Sequence, residues 1–304
     1  MKVGFSLNVN QKDADPGKHK FFIRLAREMK KNGIEIDSKK PDVYIHLAGD
    51  NRCSKSKLNI LRLDNVVLDS NPDPKKRNKK ILNYIEESDA IIYQGIFSKE
   101  LHNKFLGVKD NKKYKIIPNG ASPDEFLPRK LKNYFLTNCK WRPCKRLKSV
   151  LESFLLSLKM GLDSDLIVTG KSHYQIKHPR IKYLKWQNKD DIKKLLSGAI
   201  SSLHLTWLDC CPNSMIESIV AGCPVIYTKS GGLEELAKDS GIGIRDKKWD
   251  FKPFDIRFPP NVDMEKVALS MLKMKKEKMI IKKRTDIYIN NICRQYMDFF
   301  KELL

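Results

Sequence analysis

The sequence predicts an α/β protein made of two Rossmann-like, doubly wound parallel-sheet domains, on three observations. Apolar, β-branched runs alternate with helix-period segments through both halves of the chain. The alternation is interrupted near the middle by Pro118-Asn119-Gly120 and Pro123, turn chemistry with no periodicity. The 304 residues, 41% of them hydrophobic, exceed what one core usually serves and are ample for two.

In order along the first half, KVGFSLNV reads as a strand. A helix follows over His19 to Asn32 with Phe22, Leu25, Ala26 and Met29 on one face, and then the strand PDVYIHLAG. LRLDNVVLD, a polar loop NPDPKKRNK, a helix over Lys80 to Glu87, the strand AIIYQG, a helix over Ser98 to Leu106 and KIIPNGAS complete this half. The second half repeats the scheme: YFLTNC, a helix over Lys145 to Lys159, SDLIVTGKS, IKYLKW, a helix over Lys189 to Ser197, AISSLHLTW and CPVIYTK. A helical stretch runs from about Val262, and the amphipathic segment NNICRQYMDFFKELL ends the chain. The expected domains are residues 1–122 and 123–285, with 286–304 as a terminal helix. A ligand is expected beyond the carboxyl ends of the strands, in a cleft faced by both domains.

Composition narrows the function. The net charge of +23 is spread over both halves, +10 from residues 1–122 and +13 from 123–304, and is carried by 46 Lys against 13 Arg. Dispersed lysine is a poor reader of bases or of phosphate geometry, so no specific nucleic-acid partner is expected. Lys75-Lys76-Arg77 and Lys282-Lys283-Arg284 read as solvated faces. A weak contact with an anionic membrane surface stays open. The seven cysteines lack paired spacing and a histidine cluster, which predicts reduced thiols and no metal site. No apolar run reaches the ~18–20 residues of a membrane span and the start is strand-like, so the expected location is cytoplasmic, with a peripheral membrane position as the variant.

The chemistry is concentrated between Asp209 and Leu236, DCCPNSMIESIVAGCPVIYTKSGGLEEL. Pro212 and the N-cap candidate Ser214 open a short helix that Gly222 closes. Its amide end faces the loop of Asp209, where the N–H groups from Asn213 through Ser214 and Met215 to Ile216 can hold phosphate or sugar oxygens. Glu217, one turn in, can accept hydrogen bonds from a ribose diol. Ser214-Met-Ile-Glu217 also fits a capping box, in which Glu217 only turns back to the Ser214 amide.

These segments resemble the retaining glycosyltransferases of family 4, which have the two-domain GT-B fold. IIPNGASPDEF is similar to that family's interdomain NG-V-D segment, and KWRPCKRLKSVLESF to its Arg and Lys phosphate clamp. DLIVTGKS is similar to the strand before its base pocket, and DCCPNSMIES-VAGCPVI-GGLEEL to its E-x7-E region. YQGIFSKELHNKFLG is similar to a strand-helix segment of short members. One departure stands out: Asp209 replaces the family's first glutamate.

The resemblance implies transfer of a sugar from a nucleotide diphosphate sugar to a hydroxyl acceptor, a glycan, glycolipid or other glycoconjugate, with retained configuration. The departing phosphate serves as base, and no protein nucleophile, metal or cofactor is needed. It implies that Asp209 faces the donor sugar, Glu217 the ribose, and Arg142 and Lys145 the diphosphate; Arg146, placed to begin a helix, is expected to point outward. It also implies that the last helix crosses back onto the first domain. Gly17 and Lys18, in the loop after the first strand, are candidates for the donor diphosphate, with a plain βα turn as the other reading. Trp186 is placed to stack on a base. His46 and Asp64 are acceptor-side candidates, against a buried structural histidine and a turn-capping aspartate. A GT-B nucleotide-sugar epimerase and a catalytically silent sugar- or nucleic-acid-binding protein are the alternative functions.

Overall fold

The computed structural model describes residues 1–9, 18–50, 53, 55–68, 73–172 and 174–304. The chain divides into two compact units. One contains Met1–Ser122, Asp250–Phe254 and Thr285–Leu304; the other contains Pro123–Trp249 and Asp255–Arg284. The short segment Asp250–Phe254 thus leaves the second half, to which the sequence assigned it, and the Phe251 ring sits 6.3 Å from that of Phe97 in the first unit.

The first unit holds β1 (Lys2–Phe5), α1 (Lys18–Lys31), β2 (Glu35–Ile36), β3 (Val43–Leu47), β4 (Leu58–Leu63), α2 (Pro74–Glu87), β5 (Ala90–Tyr93), α3 (Ile96–Leu106) and β6 (Lys113–Ile116). Its six strands run parallel in the order β2-β1-β3-β4-β5-β6. Every residue of β4 and β5 is buried, as central strands covered on both faces require. The helix α2 begins before the expected Lys80 because Asp73 accepts the Lys76 amide and Pro74 occupies the first turn, a start that apolar periodicity does not register.

The second unit holds β7 (Tyr134–Asn138), α4 (Leu147–Lys159), β8 (Asp165–Thr169), β9 (Ile181–Leu184), α5 (Lys189–Gly198), β10 (Ser202–His204), α6 (Asn213–Val220), β11 (Val225–Thr228), α7 (Leu233–Ala237), β12 (Gly241–Ile244) and α8 (Met264–Glu277). The strands are again parallel, in the order β12-β11-β10-β7-β8-β9. Phe135, Leu151, Phe154, Leu166, Ile226 and Met271 form part of its core, where α4 and α8 lie on one face of the sheet. The strand β12, GIGI, was not expected, since its glycines speak against a strand. It forms because a Cβ at position 241 would overlap the Val225 carbonyl, so only glycine lets β12 lie against β11.

The terminal helix α9 (Ile289–Leu303) belongs to the first unit, with Tyr296, Phe299 and Phe300 in the core beside Phe21, Phe22 and Leu25 of α1. Its anchor is Arg62 of β4, a fully buried guanidinium. Arg62 donates through Nε to the Tyr296 hydroxyl at 3.1 Å, through Nη1 to Asp64 at 2.7 Å and through Nη2 to Asn119 Oδ1, and lies 4.7 Å from the Phe21 ring. Gly120 is small for a reason beyond the turn: a Cβ there would meet Ile292 Cγ1 at 2.8 Å. Among the described residues no helix is long and apolar enough to cross a membrane.

Candidate functional site

The site forms in the second unit where strand order reverses. From β7 the chain proceeds outward to β8 and β9, and from β10 to β11 and β12 on the other side, so the loops leaving these two neighbours diverge and open a crevice. Asp209 follows β10, and Lys145 follows β7.

The loop after β7 is pinned to β8. Trp141 Nε1 donates to the Thr169 carbonyl at 2.8 Å, and Gly170, at φ +93°, admits the Cys139 carbonyl where a Cβ would collide. A 3-10 turn over Pro143–Lys145 then leads into α4. Arg146 joins them at φ +53°, in the left-handed region, and points inward rather than outward as expected. Its guanidinium forms a two-pronged pair with Asp246 at 2.6 and 3.2 Å and lies 5.1 Å from the Trp207 ring. Both side chains are out of solvent, 2% and 0% exposed. Arg146 is therefore the anchor of the loop, and Arg142 and Lys145 are the cations it presents. Arg142 is exposed, and no ion pair joins it to a described carboxylate.

The loop after β10 is held as tightly. Leu208, at φ +55°, donates its amide to Ser230 Oγ at 3.1 Å, and the Gly232 amide donates to the Asp209 carbonyl at 2.9 Å. A Cβ on Gly231 would lie 2.6 Å from that same carbonyl, and one on Gly232 would overlap the Cys210 carbonyl. The Gly231-Gly232 turn is thus the seat of the Asp209 loop.

Lys145 Nζ donates to Asp209 Oδ2 at 2.5 Å, while Asp209 Oδ1 accepts the Cys211 amide at 3.2 Å. The two side chains retain 15% and 28% exposure. Burial works against the Lys145 charge, but the Asp209 carboxylate outweighs it and the ammonium pKa is raised. Burial also pushes the neighbouring Cys139 thiol up to about 12 and raises that of Cys144, so both flank the pair as neutral groups.

The helix α6 corrects the expected cap. Its N-cap is Pro212, and Ser214 lies inside the first turn rather than at the cap position. Glu217 is 97% shielded, in a helix whose neighbouring positions 215 and 216 are wholly buried. The amides of Met215 and Ile216 donate to the Pro212 carbonyl at 3.0 and 3.2 Å, and the Met215 side chain packs in the core. Met215 is therefore withdrawn from ligand contact, and the first-turn amides outside the helix ladder are those of Asn213 and Ser214.

The other expected residues are scattered. Trp186 follows β9 and is exposed. Gly17 lies outside the described residues, and Lys18 opens α1. His46 is completely buried in β3, its ring stacked 6.5 Å from that of Tyr44, which removes it from the acceptor side. Asp64 serves as ion-pair partner of Arg62 and accepts from Gln94, with its side chain 38% exposed.

The sequence reading passed over His204 and Asp246. Asp246 sits in the polar stretch RDKKWD, which carries no periodic signal. His204 is the one titratable side chain in the apolar run AISSLHLTW, a signal that was available. His204, Thr137, Asn138, Lys145, Thr206 and Ser214 line a small cavity at the ends of β7 and β10. His204 Nε2 lies 3.0 Å from Ser202 Oγ and 3.3 Å from Ser218 Oγ. Burial, and next the Lys145 charge, lower its pKa to about 3. In the first unit burial likewise lowers that of His102 to about 4, against a bond to the Ser98 carbonyl.

A pH dependence of stability follows. Both histidines fold neutral, whereas the unfolded chain takes up protons near pH 6.5. Their contribution is complete above pH ~6.5 and is lost as pH falls toward the folded values, at about 1.4 kcal/mol per pH unit for each histidine. Melting temperatures at pH 7.5 and pH 5 should show the decline, with His102→Gln removing it from the first unit's transition and His204→Gln from the second's. Equal melting temperatures at the two pH values would contradict it.

No family model matches the chain, and no curated protein sequence matches it. Solved structures match along its whole length. The sucrose-phosphate synthase from Thermosynechococcus elongatus superposes with a TM-score of 0.69 at 10% identity, covering 99% of this chain and 98% of its own. HepE from Anabaena, solved in complex with UDP-glucose, gives 0.70 at 11% identity over 99% and 100%. AviGT4, a glycosyltransferase involved in avilamycin A biosynthesis, gives 0.62 at 15% identity over 99% and 97%. The fold is that of the GT-B glycosyltransferases, with two six-stranded parallel sheets flanked by helices.

Proposed function

We propose that a chain with this fold is a retaining glycosyltransferase of the family 4 type, moving a sugar from a nucleotide diphosphate sugar to a hydroxyl acceptor. The observation that carries the reading is the Lys145–Asp209 pair at the strand-order reversal, set on two rigidly held loops with Arg142 beside it. A leaving diphosphate gathers negative charge as the glycosidic bond breaks, and a fixed ammonium in a partly dehydrated crevice stabilises that charge as it develops. Asp209 holds Lys145 in place and stands where the donor sugar lies. Glu217 accepts the ribose hydroxyls. The donor is a UDP-sugar, the class bound by HepE. The departing phosphate takes the acceptor proton, and the cations do the work a divalent ion does elsewhere, so turnover is expected to survive a chelator. Asp64, held by Arg62 and partly exposed, is the acceptor-side residue of the first unit, and a glycan or glycolipid is the acceptor class.

A thermal-shift series with UDP, GDP, ADP, CMP and their sugar conjugates tests the donor assignment. One nucleotide family at a hundredfold excess over its Kd should stabilise the wild type by about 2.7 kcal/mol, and Glu217→Gln should weaken that response. No response to any nucleotide would overturn the proposal.

A further inference from the structure

His204 is built like a ligand-reading group. It is 5% exposed, on a strand end that reaches the cavity shared with Lys145 and Ser214. Its proton can be assigned from its neighbours. Ser218 Oγ donates to the Ser214 carbonyl at 2.9 Å, and in that arrangement it accepts toward His204, which assigns the proton to Nε2. The same Nε2–H lies 3.0 Å from Ser202 Oγ. The other ring nitrogen, Nδ1, is left with a lone pair, and no described residue supplies it with a hydrogen bond.

We propose that His204 Nδ1 accepts a hydrogen bond from a hydroxyl of the bound nucleotide sugar, making His204 a specificity-determining residue of the donor site. Ser218 sets the tautomer, and it is adjacent in α6 to Glu217, so the group reading the ribose and the group reading this hydroxyl are fixed by one helix. The neutral imidazole suits the task. With a pKa near 3 it remains an acceptor across the physiological range, and it adds no positive charge beside Lys145. Lys145 and His204 thus divide the work, one facing the diphosphate and the other a hydroxyl.

This inference rests on the nucleotide-sugar reading above, and the experiment separates the two. Binding of UDP, UDP-glucose, 2′-deoxy-UDP, 3′-deoxy-UDP and the monodeoxy-glucose forms of UDP-glucose is measured by calorimetry on wild type, His204→Phe and His204→Asn, each first confirmed by its melting curve to be folded. If the wild type binds none of them, the functional reading itself fails. If it binds, His204→Phe should weaken UDP-glucose about tenfold, His204→Asn, which keeps an acceptor near Nδ1, should recover most of the loss, and the penalty should vanish for a single deoxy analogue. Vanishing with a ribose analogue places the hydroxyl on the nucleoside, and vanishing with a glucose analogue places it on the sugar. A penalty equal for every analogue, or no penalty, would mean that His204 only packs, and would overturn the proposal. Should His204→Phe not fold, Ser218→Ala serves in its place: it frees the tautomer, and the same analogue dependence is expected in weaker form, its absence again overturning the proposal.

Discussion

Lys145→Ala is expected to lower turnover with a UDP-sugar by about 10²–10³-fold, the typical loss when one fixed charge-stabilising group is removed from a transition state. The loss belongs in kcat, because the ammonium matters most once the phosphate oxygens are departing. Stability should change by no more than about 1 kcal/mol, since the partner Asp209 remains 28% exposed and can take water in place of the ammonium. Lys145→Arg should recover only part of the rate, because a planar fork cannot occupy the point 2.5 Å from Asp209 Oδ2 in the same way. Steady-state kinetics on the wild type and both variants decide the matter, and unchanged kcat in Lys145→Ala would remove the lysine from the chemistry.

Asp246→Ala should produce the largest loss of stability, about 3–5 kcal/mol, because it leaves the Arg146 guanidinium without its carboxylate in an interior where both side chains are shielded. That is a large share of the ~5–15 kcal/mol available to a domain. The paired change Arg146→Met with Asp246→Leu removes both charges and should restore much of the loss, as apolar replacement of a whole buried pair often does. Denaturant unfolding of the second unit measures all three proteins. A single variant within 1 kcal/mol of wild type would show that the pair does not hold the loop. The functional consequence is indirect: Arg146 sits between Lys145 and α4, so a loosened anchor should also blunt nucleotide binding, while the double replacement, which keeps the packing, should blunt it less.

Much of the frame is readable along the chain because it depends on local periodicity. The strands AIIY and VIYT are buried from end to end, and α1, α5 and α9 carry their buried faces at helical spacing. Where other forces decide, the reading misses. The α2 start depends on one side-chain cap at Asp73, β12 on glycines that admit a neighbouring backbone, and the α6 start on a proline carbonyl that displaces Ser214 from the cap. The placement of Asp250–Phe254 depends on a ring contact across more than a hundred residues.

The alternation of strands and helices in two halves, the dispersed lysine charge, and the positions of Asp209, Glu217, Arg142 and Lys145 on loops and helices after strands are all legible in the order of residues. Those are properties of neighbouring residues, and short-range sterics and periodic burial encode them. Which of these groups meet depends on how distant segments pack. Lys145 and Asp209 are 64 positions apart and come together because β7 and β10 are adjacent at the reversal of strand order. Arg146 turns inward because Asp246, a hundred positions away, is buried opposite it. Arg62 is buried because Asp64, Asn119 and Tyr296 surround it from three parts of the chain. A charge can be taken out of water only where a partner and hydrogen bonds compensate its lost hydration, and those partners are supplied by the packing of distant segments.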